Sequence, residues 1–383
     1  MPAIQKRGPN TYRVTVSMGY DINNKKIAQR KTFTLDPDLT LKQAEKEILR
    51  LATIFEDEVK SGQHVSANLT FKQFADQWER DYGEKQLEAT TLASYKGELR
   101  TKILPALGHI KLKDLKPLHL IRFLDYLTKS GSRVDGKPGG YSTRVIKYQH
   151  SIISSILQAA VHWQIINDNV ARRVQPPKGD DKPKGDNYLD ELDTGMLLKY
   201  ILKTEPLEYQ AMAMVTVYSG LRKGEVLGLR WEDISFEDNT IWVNKAFARA
   251  NKKEFIKSTK NKSSKRIVAL PETVMQLLKK LKAESEGPRV FPFCYSTPTH
   301  WFKRVKSRFN EEHDEKLPED LTFHGLRHTS ASLLIAQGTD LRSVASRLGH
   351  SDMTTTARTY AHAIKSRDVA AADALEKIIG LEV

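Results

Sequence analysis

A chain of 383 residues is longer than one ordinary hydrophobic core accommodates, so two or three domains are expected. Its 61 Lys and Arg against 47 Asp and Glu leave a formal net charge of +14, which suits a polyanionic partner, either nucleic acid or an anionic membrane surface. No stretch approaches the ~20 apolar residues of a spanning helix, MPAIQKRGPN lacks a signal peptide's apolar core, and a single cysteine, Cys294, excludes an internal disulfide and a Cys-rich zinc site.

The first elements read as strands backed by a helix. Tyr12, Val14 and Val16 alternate with Arg13 and Thr15, the period of a half-buried strand, and alternation resumes through Ile27, Phe33 and Leu35 after the turn signal DINNKK. A helix is expected from Thr40, with Gln43 at the capping-box position and Leu41, Ala44, Ile48, Leu51, Ala52, Phe55 and Val59 on its inner face. KSGQHVSAN then reads as a linker.

A helical segment follows. Thr70 opens a helix carrying Phe71, Phe74, Ala75 and Trp78, and Thr90 or Thr91 caps another with Leu92, Tyr95 and Leu99. ILPALGHIKLKDLKP interrupts the pattern with two prolines and a glycine. Helices return around Leu118–Leu127 and from Ser142 to Trp163, the latter with Val145, Ile152, Ile153, Ile156, Leu157 and Ala160 inward. VQPPKGDDKPKGDNY, ending at 188, has almost nothing to bury and marks the clearest boundary. Beyond it come helices, a strand-rich stretch and helices again.

Three stretches of the last segment hold candidate chemistry. In YSGLRKGEVLG, Arg222 follows Gly220 at a helix start, with Glu225 one turn on; alone, this reads as a surface ion pair. In FHGLRHTSASLL, His324 and Arg327 share a helix face. His324 and His328 have the spacing of a zinc-binding helix, yet Gly325 stands where the general-base glutamate belongs and Arg327 would repel a cation. In GTDLRSVASRLGHSDMTTTARTY, Asp340 caps a helix with Leu341, Val344 and Leu348 inward, Gly349 ends it, His350 lies in the turn, and Tyr360 is on the next helix. Between the first two lies STKNKSSKRIV, a lysine-rich stretch expected at a hairpin tip.

Taken together, SGLRKGE, HGLRHT and LGHSDMTTTARTY resemble the boxes of the tyrosine recombinase family, the lambda-type integrases of phages and conjugative transposons, with Ser219 where the first box usually has threonine. TFKQFADQW, TTLASYKGELRTKILPALGHIKLKDL and AAVHWQIINDNV resemble that family's helical core-binding domain, and the N-terminal strands plus helix resemble its arm-type DNA-binding module. The resemblance implies a multidomain, mainly α chain with small β elements: an arm-type module at 1–62, a SAM-like core-binding domain at 69–175, a linker at 176–188, and an α+β catalytic domain at 189–383 with a C-terminal tail helix.

It also implies a role for each matching residue: Tyr360 as nucleophile, Arg222 and Arg327 as phosphate-binding arginines, His324 and His350 as the two histidines, and Lys262 as the catalytic lysine, with Lys260 the alternative. Arg144, Lys147 and Lys260 are candidate DNA contacts, and for the first two a solvated helix face is an equal alternative. Permanently charged guanidinium forks suit the oxygens of a phosphodiester under attack, so neither metal nor cofactor is expected. A covalent 3′-phosphotyrosine conserves the phosphoester energy, so rejoining needs no ATP. The partners implied are double-stranded DNA at core-type and arm-type sites, further copies of the chain in a tetramer, an excisionase and a host DNA-bending protein, in a bacterial cytoplasm at the nucleoid and away from membranes. A type IB topoisomerase would share much of this constellation; a non-catalytic DNA-binding regulator would not need it.

Overall fold

The computed structural model describes residues 2–20, 24–60, 69–178, 187–258, 264–350, 352–360 and 378. The chain divides into two compact units, Met1–Asp181 and Lys182–Val383.

The first unit begins with an antiparallel sheet of β1 (Ala3–Lys6), β2 (Thr11–Tyr20) and β3 (Lys26–Thr34), in that order. Alternate residues of a strand face opposite sides, so Val14 and Val16 turn together into a small core. Leu35 and the Ile48, Ala52, Phe55 and Val59 face of α1 (Leu41–Lys60) complete it. Gln43 Oε1 accepts from the Thr40 amide at 3.0 Å, the expected start. Leu41, expected inward, is exposed instead, because it lies two turns ahead of Ile48, where this small core begins.

The helical part of this unit opens with α2 (Phe71–Trp78), where Thr70 and Gln73 form the reciprocal capping box. Single π-helical turns, Glu79–Gly83 and Leu99–Ile103, lead into α3 (Glu84–Gln86) and join α4 (Ala89–Glu98) to α5 (Leu104–Leu107). The expected interruption therefore begins later: Pro105 falls early in α5, directly after a π-helical turn, and the helical run continues to Leu107. Glu88, not a threonine, holds the cap position of α4. α6 (Pro117–Thr128) and α7 (Thr143–His162) close this core. On α7 the inner face runs through Ile146, Gln149, Ile153, Ile156 and Ala160, so Ile146 takes the place expected for Val145.

The second unit contains α8 (Glu191–Thr204), α9 (Leu207–Ser219) and α10 (Lys223–Gly228). Residues 211–217 of α9 are all buried, as expected of a helix apolar on every side at the centre of a larger core. A small antiparallel sheet orders β4 (Ile234–Ser235), β5 (Thr240–Val243) and β8 (Arg266–Ala269), while β6 (Lys245–Ala250) and β7 (Lys253–Ser258) form a separate hairpin. The lysine-rich stretch thus joins strands of two different pairings rather than tipping one hairpin. β8 carries the basic–apolar pattern, and its inward Val268 pairs with Ile241 rather than with a β7 residue.

Helices α11 (Glu272–Ala283), α12 (Thr297–Glu312), α13 (Gly325–Ala336), α14 (Leu341–Leu348) and α15 (Met353–Thr359) follow. A second, smaller core gathers Ala331, Ile335, Val344, Leu348 and Tyr360, holding α13, α14 and the end of α15 together. Among the described residues no helix is long and apolar enough to cross a membrane.

Candidate active site

Four segments far apart in sequence converge where α9 ends. Gly220 stops that helix in the left-handed conformation, φ 65°, which suits a residue without a side chain. An added Cβ would also stand 2.6 Å from Leu348 Cδ2. This tight turn leaves the Gly220 carbonyl pointing at Arg327, whose Nη1 donates to it at 2.6 Å.

Arg327 is buried on the first turn of α13, and both of its terminal nitrogens are bonded. Its Nη2 donates to the Leu348 carbonyl at 2.9 Å and to His350 Nε2 at 2.8 Å. Burial, and then the nearby charge of Arg222, lowers its pKa to about 10, which still leaves it cationic at neutral pH.

Because a guanidinium only donates, His350 Nε2 must accept, so the proton of the neutral ring sits on Nδ1. That nitrogen is 2.7 Å from Thr356 Oγ1, to which it donates, and Thr356 is itself buried. Burial, followed by the charges of Arg327, Arg222 and Arg266, pushes His350 down to about 4. The local sequence builds this position. Asp340 accepts from the Ser343 amide to start α14, and Gly349, φ 68°, ends it so that the His350 amide returns to the Ala345 carbonyl.

Arg222 caps α10, its amide donating to Glu225 Oε2 at 2.9 Å. Its guanidinium reaches Glu225 Oε1 at 3.0 Å and the Gly349 carbonyl at 3.1 Å, yet 39% of the side chain remains open to solvent. Arg222 thus presents charge outward while Arg327 is sealed behind it. Glu225 is shared. Arg266 of β8 donates to Oε2 at 2.9 Å and anchors its own Nε on the Arg347 carbonyl at 2.6 Å. Burial alone would raise the Glu225 pKa, but the bond and charge of Arg266, then Arg222, outweigh it and keep the carboxylate ionised.

Tyr360 closes α15 with its ring in the small core, 1% exposed. Its hydroxyl lies 3.1 Å from His328 Nδ1. Burial raises the phenol pKa, while Arg327 and Arg222 pull it back. His324 stands at the start of α13, its ring edge-on to His328 at 4.9 Å. Solvent reaches part of this ring, but the protein crowds the rest. That burial, then His328, Arg327 and Arg222, lowers His324 to about 4. Among the described residues no third His, Cys, Asp or Glu joins these two histidines in a group able to hold an ion.

Residues 187–367 match the phage integrase family, and residues 70–128 match the phage integrase N-terminal SAM-like domain; together they take in well over half of the chain. The chain belongs to the phage integrase family. The recombinase is 25% identical to the tyrosine recombinase XerC-like protein of Caldanaerobacter subterraneus subsp. tengcongensis, with 97% of each chain covered. It is 24% identical to the integrase of Staphylococcus phage L54a over 81% of this chain and 94% of that one. In fold it resembles the Tn1549 transposon integrase solved in complex with transposon right end DNA (TM-score 0.68, 20% identity, 80% of this chain and 99% of that one). It also resembles a lambda integrase tetramer bound to a Holliday junction (TM-score 0.55, 19% identity, 92% and 96%). The chain is a tyrosine site-specific recombinase of the integrase type, and its multidomain, mainly helical build agrees with the sequence.

Of the residues singled out in the recombinase sequence, Arg222, His324, Arg327, His350 and Tyr360 gather within this one site. Lys262 and Lys260 lie outside the described residues. Arg144 and Lys147 are exposed on α7, in the other unit. Arg266 and Thr356 were missed. The sequence signal for Arg266 is its place at the end of the lysine-rich stretch STKNKSSKRIV, where a basic residue opens the apolar run IVAL.

Proposed function

We propose that this recombinase cuts and rejoins double-stranded DNA through a 3′-phosphotyrosine on Tyr360, serving integration or excision of a mobile element. The observation that carries the reading is the set of bonds by which Arg327 joins Gly220, Leu348 and His350, bringing Arg222 and the Tyr360 helix to one place. Attack by the phenolate oxygen on phosphorus builds charge on the non-bridging oxygens, and Arg222, the more open of the two arginines, grips them. Arg327 contributes its charge from behind and sets the orientation of His350. Lys262, or Lys260 in its place, protonates the departing 5′ oxygen.

The chain is read as an arm-type module at 1–62, a core-binding domain at 69–175 that touches DNA through Arg144 and Lys147, a linker at 176–188 and a catalytic domain at 189–383. Supporting this division, the sheet-plus-helix core and the helical core share no residue. The fold neighbours solved with transposon right end DNA and as a tetramer on a Holliday junction support DNA sites and a tetramer as partners; an excisionase and a host DNA-bending protein, in a bacterial cytoplasm, are part of the same proposal.

A nicked suicide substrate tests the chemistry. The wild-type chain accumulates a covalent protein–DNA adduct, and Tyr360→Phe binds the same DNA without forming one. Persistent adduct in that variant would refute the assignment.

A further inference from the structure

We infer that His328 takes the proton from the Tyr360 hydroxyl when that oxygen attacks DNA, making it a catalytic residue of the recombinase. This rests on Tyr360 being the nucleophile. The imidazole against the reacting oxygen is that of His328, Nδ1 to hydroxyl 3.1 Å, whereas His324, the histidine of the His-x-x-Arg box, packs edge-on against His328 one helical turn away.

The surroundings favour the direction of the bond. Burial keeps the resting phenol protonated, so the Tyr360 hydroxyl has a proton to give, and the inferred transfer makes its O–H the donor and His328 Nδ1 the acceptor of the 3.1 Å contact. His328 therefore has its own proton on Nε2. Backbone geometry holds the pair: His328 lies on α13 directly after the clamped Arg327, and the Tyr360 ring is wedged against Ala331, Ile335, Val344 and Leu348. Among the described residues, the titrating groups beside His328 are His324, His350 and Tyr360, and Arg327 precedes it in the chain.

The step balances. The Tyr360 oxygen bonds to phosphorus, the bond from phosphorus to the 5′ oxygen breaks, and the phenol proton passes to His328 Nδ1, leaving an imidazolium. The departing 5′ oxygen takes its proton from Lys262, or from Lys260 in its place. On rejoining, the incoming 5′-hydroxyl displaces the tyrosine, and His328 returns the proton to the phenol oxygen.

Two measurements test this. In the wild-type chain with ¹⁵N-labelled histidine, NMR should place the His328 proton on Nε2, with the Nδ1 resonance moving in Tyr360→Phe. A neutral ring protonated on Nδ1 would overturn the inference without any change at His328. The second compares His328→Asn with wild type on nicked suicide substrates carrying either a normal 5′ oxygen or a 5′-bridging sulfur, which leaves without a proton. An asparagine amide oxygen can still accept the tyrosine's hydrogen bond but cannot take up its proton. Adduct formation should slow by on the order of 10²-fold or more on both substrates, the usual worth of a general base, with DNA binding unchanged. A rate close to wild type, or a defect cured by the sulfur leaving group, would overturn it. Tyr360→Phe run alongside separates the two ideas, because an adduct there would remove the nucleophile assignment itself.

Discussion

Glu225 and Arg266, 41 residues apart in sequence, meet at 2.9 Å with side chains only 4% and 6% exposed. Glu225 in turn holds the more open Arg222, so a buried pair positions a guanidinium that reaches solvent. Removing Arg266 strips the buried Glu225 of its buried partner and leaves it only the more open Arg222. Arg266→Gln should cost about 3–5 kcal/mol in urea unfolding and lower cleavage more than DNA binding. A loss below about 1 kcal/mol, the scale of a surface ion pair, would show that the pair is not structural.

Gly220→Ala tests the turn that aims a carbonyl at Arg327. Left-handed backbone at a residue with a Cβ costs about 1–2 kcal/mol, and the added carbon would also meet Leu348 Cδ2. Thermal unfolding should shift down by several degrees, and adduct formation should fall further than folding alone explains, because Arg327 loses its 2.6 Å acceptor. An unchanged melting temperature would contradict the strain.

His350 makes stability depend on pH. Its folded pKa, about 4, is depressed from 6.5, so between those values the unfolded chain binds the proton that the folded chain refuses. The contribution is fully present above about pH 6.5 and is lost as pH falls towards 4. His350→Gln removes a titrating group, so the gap in unfolding free energy between wild type and variant should narrow on acidification over that window. A gap that widens would mean that His350 is held charged in the fold.

The local grammar of the site was legible in sequence because each box is a short-range device. Asp340 and Gly349 bracket α14 and set His350 in its turn, and Gly220 sits just before Arg222. What was not legible depends on tertiary contact. Nothing near Arg266 in sequence announces a glutamate 41 residues earlier on α10, and Thr356 gains its role only once α15 folds back on His350. The same holds outside the site: Leu41 has the right period for an inner face but no core to meet, and Ile146 rather than Val145 continues the α7 stripe that Gln149 joins. Strand pairing was the larger miss, since alternation in β7 and β8 says nothing about whether they pair with each other or, as found, with β6 and β5.

The lysine assignment has its own test. A 5′-bridging sulfur removes the need for an acid, so Lys262→Ala should be slow on the normal nicked substrate and close to wild type on the sulfur one. Lys260→Ala should be near wild type on both. The reverse pattern would move the role to Lys260.

The most direct test of the central claim is to trap the adduct on a nicked substrate, digest protein and DNA, and locate the modified peptide by mass spectrometry. The account predicts a nucleotide joined through its 3′-phosphate to Tyr360, in the peptide beginning after Arg358. A nucleotide on any other residue, or a linkage through the 5′-phosphate, would contradict it.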